Sequence, residues 1–348
     1  MLKTPPRARS GAARRRRLWT CLALLLVAAA LVAGAFGLRQ WLFERWPVTP
    51  PEVQRVLIAP GTALPQIALQ LEQAGVVGDA ARFAKLARKR EAAQKIKAGE
   101  YEFRQAATPD EVLARLVAGD VLKVRVTIPE GFALKEIAAR VAAAGLGTAE
   151  QFLAAVRDPV RLQKLGIPGT SLEGYLFPET YIVTTTTSPT ELIRAMFSQL
   201  ERRLTPELLA GARARGLDRH QLITLASIVQ KEAGNDAEMP LIAGVFHHRL
   251  RKGMPLQADP TVIYGVANFD GNLTRRHLTT PTPYNTYTQK GLPPGPIASP
   301  GLVALRATAF PAETTALYFV ARGDGLHEFN ATLEAHNRAV NRYQRRGR

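Results

Sequence analysis

Apolar residues fall at two kinds of spacing in this chain, after an opening run that has no spacing at all. Leu18 to Leu38 is uncharged and mostly apolar, long enough to cross a bilayer as one helix. Beyond residue 54 short β-type runs alternate with apolar positions at i, i+3, i+4 and i+7, and one such unit occurs twice. At an offset of 70, Val56, Ile58, Gly61, Leu64, Ile67 and Leu71 match Val126, Ile128, Gly131, Leu134, Ile137 and Val141. Each copy predicts a strand, a glycine turn and an amphipathic helix closed by Gly75 or Gly145. The first copy continues with a helix over 80–90, a strand over 97–103 and a helix over 109–117, giving the order β, α, α, β. Further helices are expected over 134–144, 148–156, from Pro189, and over 206–215; strands over 316–320 and 327–329 precede a last helix over 333–342. The whole is an α+β fold.

Between Gln221 and Tyr264 the pattern places a carboxylate with care. Leu222, Leu225, Ala226 and Val229 form one helical stripe, and Glu232 continues it three residues on, with Gln230 and Lys231 pointing elsewhere. A carboxyl at the end of a core-facing stripe is poorly solvated, which raises its pKa toward that of a general acid. The same spacing also allows Glu232 to turn out to water at the helix end. Gly234 stops this helix, and Asn235 with Glu238 resembles a capping box that opens a second helix reaching about Lys252, closed by Gly253. Ile242, Val245, Phe246 and Leu250 make its buried stripe, leaving His247, His248 and Arg251 outside. Gln257, Asp259 and Thr261 then precede a short β-type run ending at Tyr264 and can reach a ligand.

Two other stretches carry polar chemistry. SLEGYLFPETY gathers Glu173, Tyr175, Glu179 and Tyr181 in an irregular segment, where they either line a sugar cleft or, alternatively, Tyr175, Phe177 and Tyr181 pack in the interior with the two glutamates capping or exposed. TPTPYNTYTQKGLPPGPIASPG has too many prolines for a long helix or an interior strand, and a loop of that length is usually functional or disordered. Tyr284, Asn285 and Tyr287 favour function, since aromatic faces and amides suit sugar rings. Ser227 lacks a Gly-x-Ser-x-Gly elbow, and the six histidines show no His-Glu-x-x-His pattern, so neither a serine nucleophile nor a metal site is expected. The one cysteine, Cys21, excludes an internal disulfide.

Charge changes the picture at the ends. The net +17 is concentrated in two tails, with seven basic residues in 1–17 and five in 338–348 and no acidic residue in either. That distribution suits an anionic membrane or wall polymer, and no nucleic-acid motif is present. Arg14 to Arg17 before the apolar run place the N-terminus in the cytoplasm, with Trp41 and Trp46 at the opposite interface. Ala33-Gly34-Ala35 offers the alternative of a cleaved signal peptide, although the run is longer than a usual signal core.

ASIVQKEAG, FHHRLRKGMPLQADPTVIYG, TPYNTYTQKGLPPGPIASPG and SLEGYLFPETY together closely resemble the endolytic murein transglycosylase (YceG-like) family. The resemblance implies a basic cytoplasmic tail over 1–17, a transmembrane helix over 18–38, a linker over 39–53, a small LysM-like βααβ module over 54–123 and a mixed α+β catalytic domain over 124–348. It makes Glu232 the catalytic acid. The family often has a second glutamate where this chain has Gln230, which implies that this other glutamate is dispensable. Gln257, Asp259, Thr261, Tyr264, Asn285, Tyr287, Glu173 and Tyr175 become candidate substrate-binding residues. The implied reaction needs no cofactor and no metal. Its substrate is the glycan strand of peptidoglycan, and its partners are the membrane and enzymes that synthesise peptidoglycan. Two other readings are a hydrolase pairing Glu232 with Asp259 or Glu173, and a noncatalytic wall-binding scaffold.

Overall fold

The computed structural model describes residues 11–345, so most of the basic tail expected to stay in the cytoplasm lies outside the described residues. The first element, α1 (Gly11–Arg45), is a single helix. Leu18–Arg45 is long and apolar enough to cross a membrane, none of its most apolar stretch is covered by protein, and it is compatible with a single-pass anchor. The helix runs past Leu38 to Arg45, so the start of the expected linker is helical.

Contacts divide the chain into two compact units, one ending at Leu122 and the other beginning at Lys123. In the first unit β1 (Gln54–Ile58), α2 (Leu64–Gln73), α3 (Ala80–Lys89), β2 (Gly99–Phe103) and α4 (Pro109–Ala118) follow one another. β1 and β2 pair antiparallel, Gln54 opposite Phe103 and Ile58 opposite Gly99. Ile58, Leu71, Phe83, Leu86, Tyr101, Phe103 and Leu116 fill a core of their own. The caps follow from sequence: Asp79 accepts the Arg82 N–H at 2.9 Å, and Thr108 with Glu111 closes a capping box before Pro109.

The second unit contains β3 (Lys123–Thr127), α5 (Leu134–Ala143), α6 (Ala149–Ala155), α7 (Pro159–Leu165), β4 (Thr180–Thr184), α8 (Pro189–Arg203), α9 (Pro206–Ala214) and α10 (Arg219–Glu232). Then come α11 (Met239–Arg251), α12 (Asp259–Gly265), α13 (Arg275–Thr279), α14 (Leu302–Ala309), β5 (Tyr318–Ala321), β6 (His327–Asn330) and α15 (Leu333–Val340). β3 pairs antiparallel with β4, and β5 with β6. The internal repeat is real in the backbone. Gly61 and Gly131 take φ of +80° and +76° between strand and helix, and Gly75 and Gly145 take +65° and +73° after it. The copies nevertheless pair with different strands, β2 in one case and β4 in the other.

α10 is the axis of the second unit. Every residue from Leu222 to Val229 is buried, with α14 packed against both α10 and α11. Sequence periodicity anticipated one apolar stripe; the helix is instead enclosed on all sides. Thr224 and Ser227 are tolerated there because their hydroxyls donate to the carbonyls of His220 and Thr224 at 2.8 and 2.7 Å. Two further expectations fail. The β-type run before Tyr264 is helix α12, started by Pro260 in its first turn, and His247 is 3% exposed, its ring nitrogen bonded to the Thr308 carbonyl at 2.8 Å.

Separate cores predict separate unfolding. Phe83→Ala should lower the stability of the first unit by about 3–5 kcal/mol. Differential scanning calorimetry should show one transition moving down while that of the second unit stays in place.

Candidate active site

Glu232 closes α10, and what holds the helix end holds the carboxyl. The proline-rich segment after residue 293 lies along one face of α10. His220 Nε2 lies 2.8 Å from the Pro294 carbonyl, the Ser227 hydroxyl accepts the Ile297 N–H at 3.0 Å, and the Gln230 side-chain oxygen accepts the Gly301 N–H at 2.9 Å. Residues 131 and 132 zip onto the same segment: Gly131 N–H donates to Ser299 O, and Ser299 N–H to Phe132 O, both at 2.8 Å. Lys231 Nζ donates to Gly131 O at 3.3 Å. Gln230 is therefore half-buried and bonded, its amide also donating to Glu130, rather than idle on an outer face. Gly234 follows where a side chain would strike the Gly325 carbonyl, 2.6 Å from an added Cβ.

Around Glu232 the charges are arranged unequally. Burial raises its pKa, the negative charge of Asp259 raises it further, and Arg249 opposes both; the carboxyl is pushed up to about 8. Glu232 keeps a part-exposed edge. Its carboxyl has no hydrogen-bond partner among the described residues. Asp259, exposed in the first turn of α12, accepts the Tyr287 hydroxyl at 2.6 Å. Tyr287 is held neutral, its pKa raised by burial and then by Asp259 and Glu232. A carboxyl with a raised pKa thus stands within electrostatic reach of a second carboxyl, an arrangement that suits an acid–base site.

Arg249 is the group that sequence reading missed. It lies seven residues after Ile242 on the buried face of α11 and is only 7% exposed. Its guanidinium donates to Leu317 O at 2.6 Å, Leu256 O at 2.8 Å, and Pro255 O and Gln257 Oε1 at 3.2 Å. It thereby ties the 255–257 connection to β5 and supplies the cation that faces Glu232. A charged residue at i+7 of an apolar stripe was the available signal.

The remaining candidates separate into two groups. Gln257 is exposed beside Arg249, its backbone at φ +53°, an unusual conformation for a residue other than glycine. Thr261 and Asn285 are wholly buried. Thr261 bonds the Ala258 carbonyl at 2.7 Å and Thr286 Oγ1 at 2.8 Å, while the Asn285 amide donates to the carbonyls of His277, Leu278 and Thr280. Its oxygen accepts the Tyr287 N–H at 2.9 Å, so Asn285 shapes the loop that presents Tyr287. Glu173, Tyr175 and Tyr264 are placed elsewhere. Glu173 is buried, accepts the Leu134 N–H at 3.1 Å and the Tyr264 hydroxyl at 3.3 Å, and is pushed up to about 7 by desolvation. Tyr175 is buried with its hydroxyl 2.7 Å from His220 Nδ1. These three stabilise the start of α5 and the flank of α10, and the Glu232 carboxyl is not coupled to them.

The sequence model of the YceG-like family matches residues 56–342, which include every element around Glu232. The chain belongs to the YceG-like family. Among proteins similar to this YceG-like chain is the endolytic murein transglycosylase of Bacillus subtilis, 31% identical over 90% of this chain and 91% of the relative. Another is the endolytic murein transglycosylase of Streptococcus pneumoniae, 30% identical over 91% of this chain, which spans 63% of that longer protein. A crystal structure of a YceG-like protein from Listeria monocytogenes superposes with a TM-score of 0.58 at 30% identity, covering 82% of this chain and 99% of the other.

The raised pKa of Glu232 makes a stability prediction. Folded Glu232 stays protonated to about 8, whereas the unfolded group ionises near 4.5. The folded state therefore binds the extra proton, and stability falls as pH rises through that window. Glu232→Gln should flatten the decline and make the protein more stable than the parent at pH 8 and above, as denaturant titrations at a series of pH values would show. Glu173, pushed up to about 7, and Glu130, also raised by burial, should contribute a further decline in the same direction.

Proposed function

We propose that this chain is a membrane-anchored lytic transglycosylase that cuts peptidoglycan glycan strands internally, at the β-1,4 bond between N-acetylmuramic acid and N-acetylglucosamine. The observation that carries the reading is a single unpartnered carboxyl, Glu232, with its pKa raised to about 8 at the fixed end of a buried helix. Support comes from relatives named endolytic murein transglycosylase along most of the chain.

The chemistry follows from having one neutral acid. Protonated Glu232 donates to the bridging oxygen as the glycosidic bond breaks. The resulting carboxylate then accepts the proton of the muramic acid's own C6 hydroxyl, which closes onto C1 as a 1,6-anhydro ring. No water is consumed, and the intramolecular hydroxyl gains the advantage of proximity. Asp259, held by the Tyr287 hydroxyl, supplies negative charge beside the cation-like sugar and keeps Glu232 protonated before the reaction. Gln257 and Tyr287 offer an amide and an aromatic face to the sugar. In this reading α1 spans the inner membrane with the N-terminus in the cytoplasm and the catalytic unit outside. The LysM-like first unit contributes glycan contact, and cutting of nascent strands beside peptidoglycan-synthesising enzymes ends their elongation.

Asp259 also supports a second reading. A second carboxyl electrostatically coupled to Glu232 is the equipment of a hydrolase, whose pair is roughly 5 to 9.5 Å apart. Digestion of glycan strands in oxygen-18 water separates the two. Transglycosylation gives 1,6-anhydromuramic ends one water lighter than reducing ends and unlabelled; hydrolysis gives labelled reducing ends. Glu232→Gln should retain the fold and lose activity by about 100-fold to 10,000-fold. Near-parental activity in that variant would remove Glu232 from the site.

A further inference from the structure

The basic helix of the first unit is built against the apolar helix. α3 reads AARFAKLARK, with Phe83, Ala84, Leu86 and Ala87 in the core and Arg82, Lys85, Arg88 and Lys89 on the other side. Within the helix no acidic residue interrupts that face, although the Asp79 cap at its start lies 3.4 Å from the Arg82 guanidinium. Lys85, Arg88 and Lys89, with Ala84 and Arg90, read in sequence as a solvated face, but Arg82, Lys85 and Lys89 reach α1. Lys89 Nζ lies 3.0 Å from Glu44, the Arg82 guanidinium stands 5.7 Å from the centre of the Phe43 ring, and the Lys85 ammonium stands 5.0 Å from that of Phe36.

The spacing of these contacts gives the orientation. Arg82 and Lys89 are about 10 Å apart along α3 yet meet neighbouring residues of α1, so α3 crosses α1 instead of running beside it. Lys85, between them, reaches about two turns further toward the apolar end. Phe36 belongs to the last turn of the uncharged run that ends at Leu38. A hydrocarbon layer of about 30 Å takes about 20 residues of helix, so Lys85 lies at the depth where hydrocarbon gives way to headgroups. Trp41 and Trp46, 50% and 69% exposed, mark the same interface.

We propose that Lys85 and Arg88, the two cations of this face with no carboxylate partner among the described residues, bind the phosphate headgroups of anionic phospholipids in the leaflet from which α1 emerges. The proposal rests on α1 being a spanning anchor. Neither Lys85 nor Arg88 has an ion-pair partner among the described residues, and an ammonium at that depth satisfies its donors most readily on lipid phosphates. α3 then lies along the bilayer surface and limits the tilt of the first unit against the membrane.

The test uses the full chain in lipid nanodiscs, of phosphatidylcholine alone or with phosphatidylglycerol added, and a water-soluble amine-labelling reagent read by mass spectrometry. Lys95, exposed on the same unit, is the internal reference. Lys85 should label about fivefold more slowly in the anionic discs, molar salt should abolish the difference, and Arg88→Gln should reduce it. Equal labelling of Lys85 in both discs, with the chain still resisting alkaline carbonate extraction from vesicles, overturns headgroup binding and leaves the anchor standing. Release of the chain by carbonate overturns the anchor and the proposal with it, while leaving the chemistry of Glu232 untouched.

Discussion

The enclosure of α10 is the constraint on which the site depends. Eight consecutive residues, Leu222 to Val229, have no surface of their own, so the helix has no freedom to rock or slide without opening the core. The proline-rich segment adds bonds along it at His220, Ser227 and Gln230. Glu232 is the first acidic residue beyond the enclosed stretch, where the helix emerges. A side chain there inherits a fixed position from the core and a partial exposure from the helix end. That combination allows a carboxyl to be both desolvated and reachable.

Electrostatic asymmetry then sets its state. Asp259 comes from the start of α12 and Arg249 from the far end of α11, and the two act on Glu232 in opposite directions. Burial outweighs the cation. Arg249 is itself committed to the carbonyls of residues 255, 256 and 317, so it orders the walls of the site while moderating the acid. Tyr287 donates to Asp259, and Asn285 holds the backbone that presents Tyr287. Buried Asn285 thus acts on Tyr287 and Asp259 through the loop it shapes.

Much of this was legible in the residues, for stated reasons. The duplicated strand, turn and helix could be read because its glycines need positive φ, and the capped helices because Asp, Ser and Thr stand where an N-cap must be. Local rules were insufficient where tertiary packing decides. α12 was read as β-type because Val262 and Ile263 outweighed Pro260, and α14 was hidden behind a proline-rich approach. His247 and Arg249 were missed as interior groups because their partners, Thr308 and Leu317, lie more than sixty residues away. In SLEGYLFPETY the Tyr175 hydroxyl meets His220, the Tyr181 hydroxyl donates to the Phe177 carbonyl and Glu173 caps the start of α5, partners that only the fold brings into reach.

The account stands on Glu232 being protonated at neutral pH because of where it sits. Carbon-13 NMR titration of glutamate-labelled protein, with the Glu232 carboxyl assigned by its loss in Glu232→Gln, measures this without reference to substrate. The account predicts a midpoint near 8 that moves down in Asp259→Asn, where the neighbouring charge is removed. A midpoint near the ordinary 4.5, unmoved by that substitution, would contradict it.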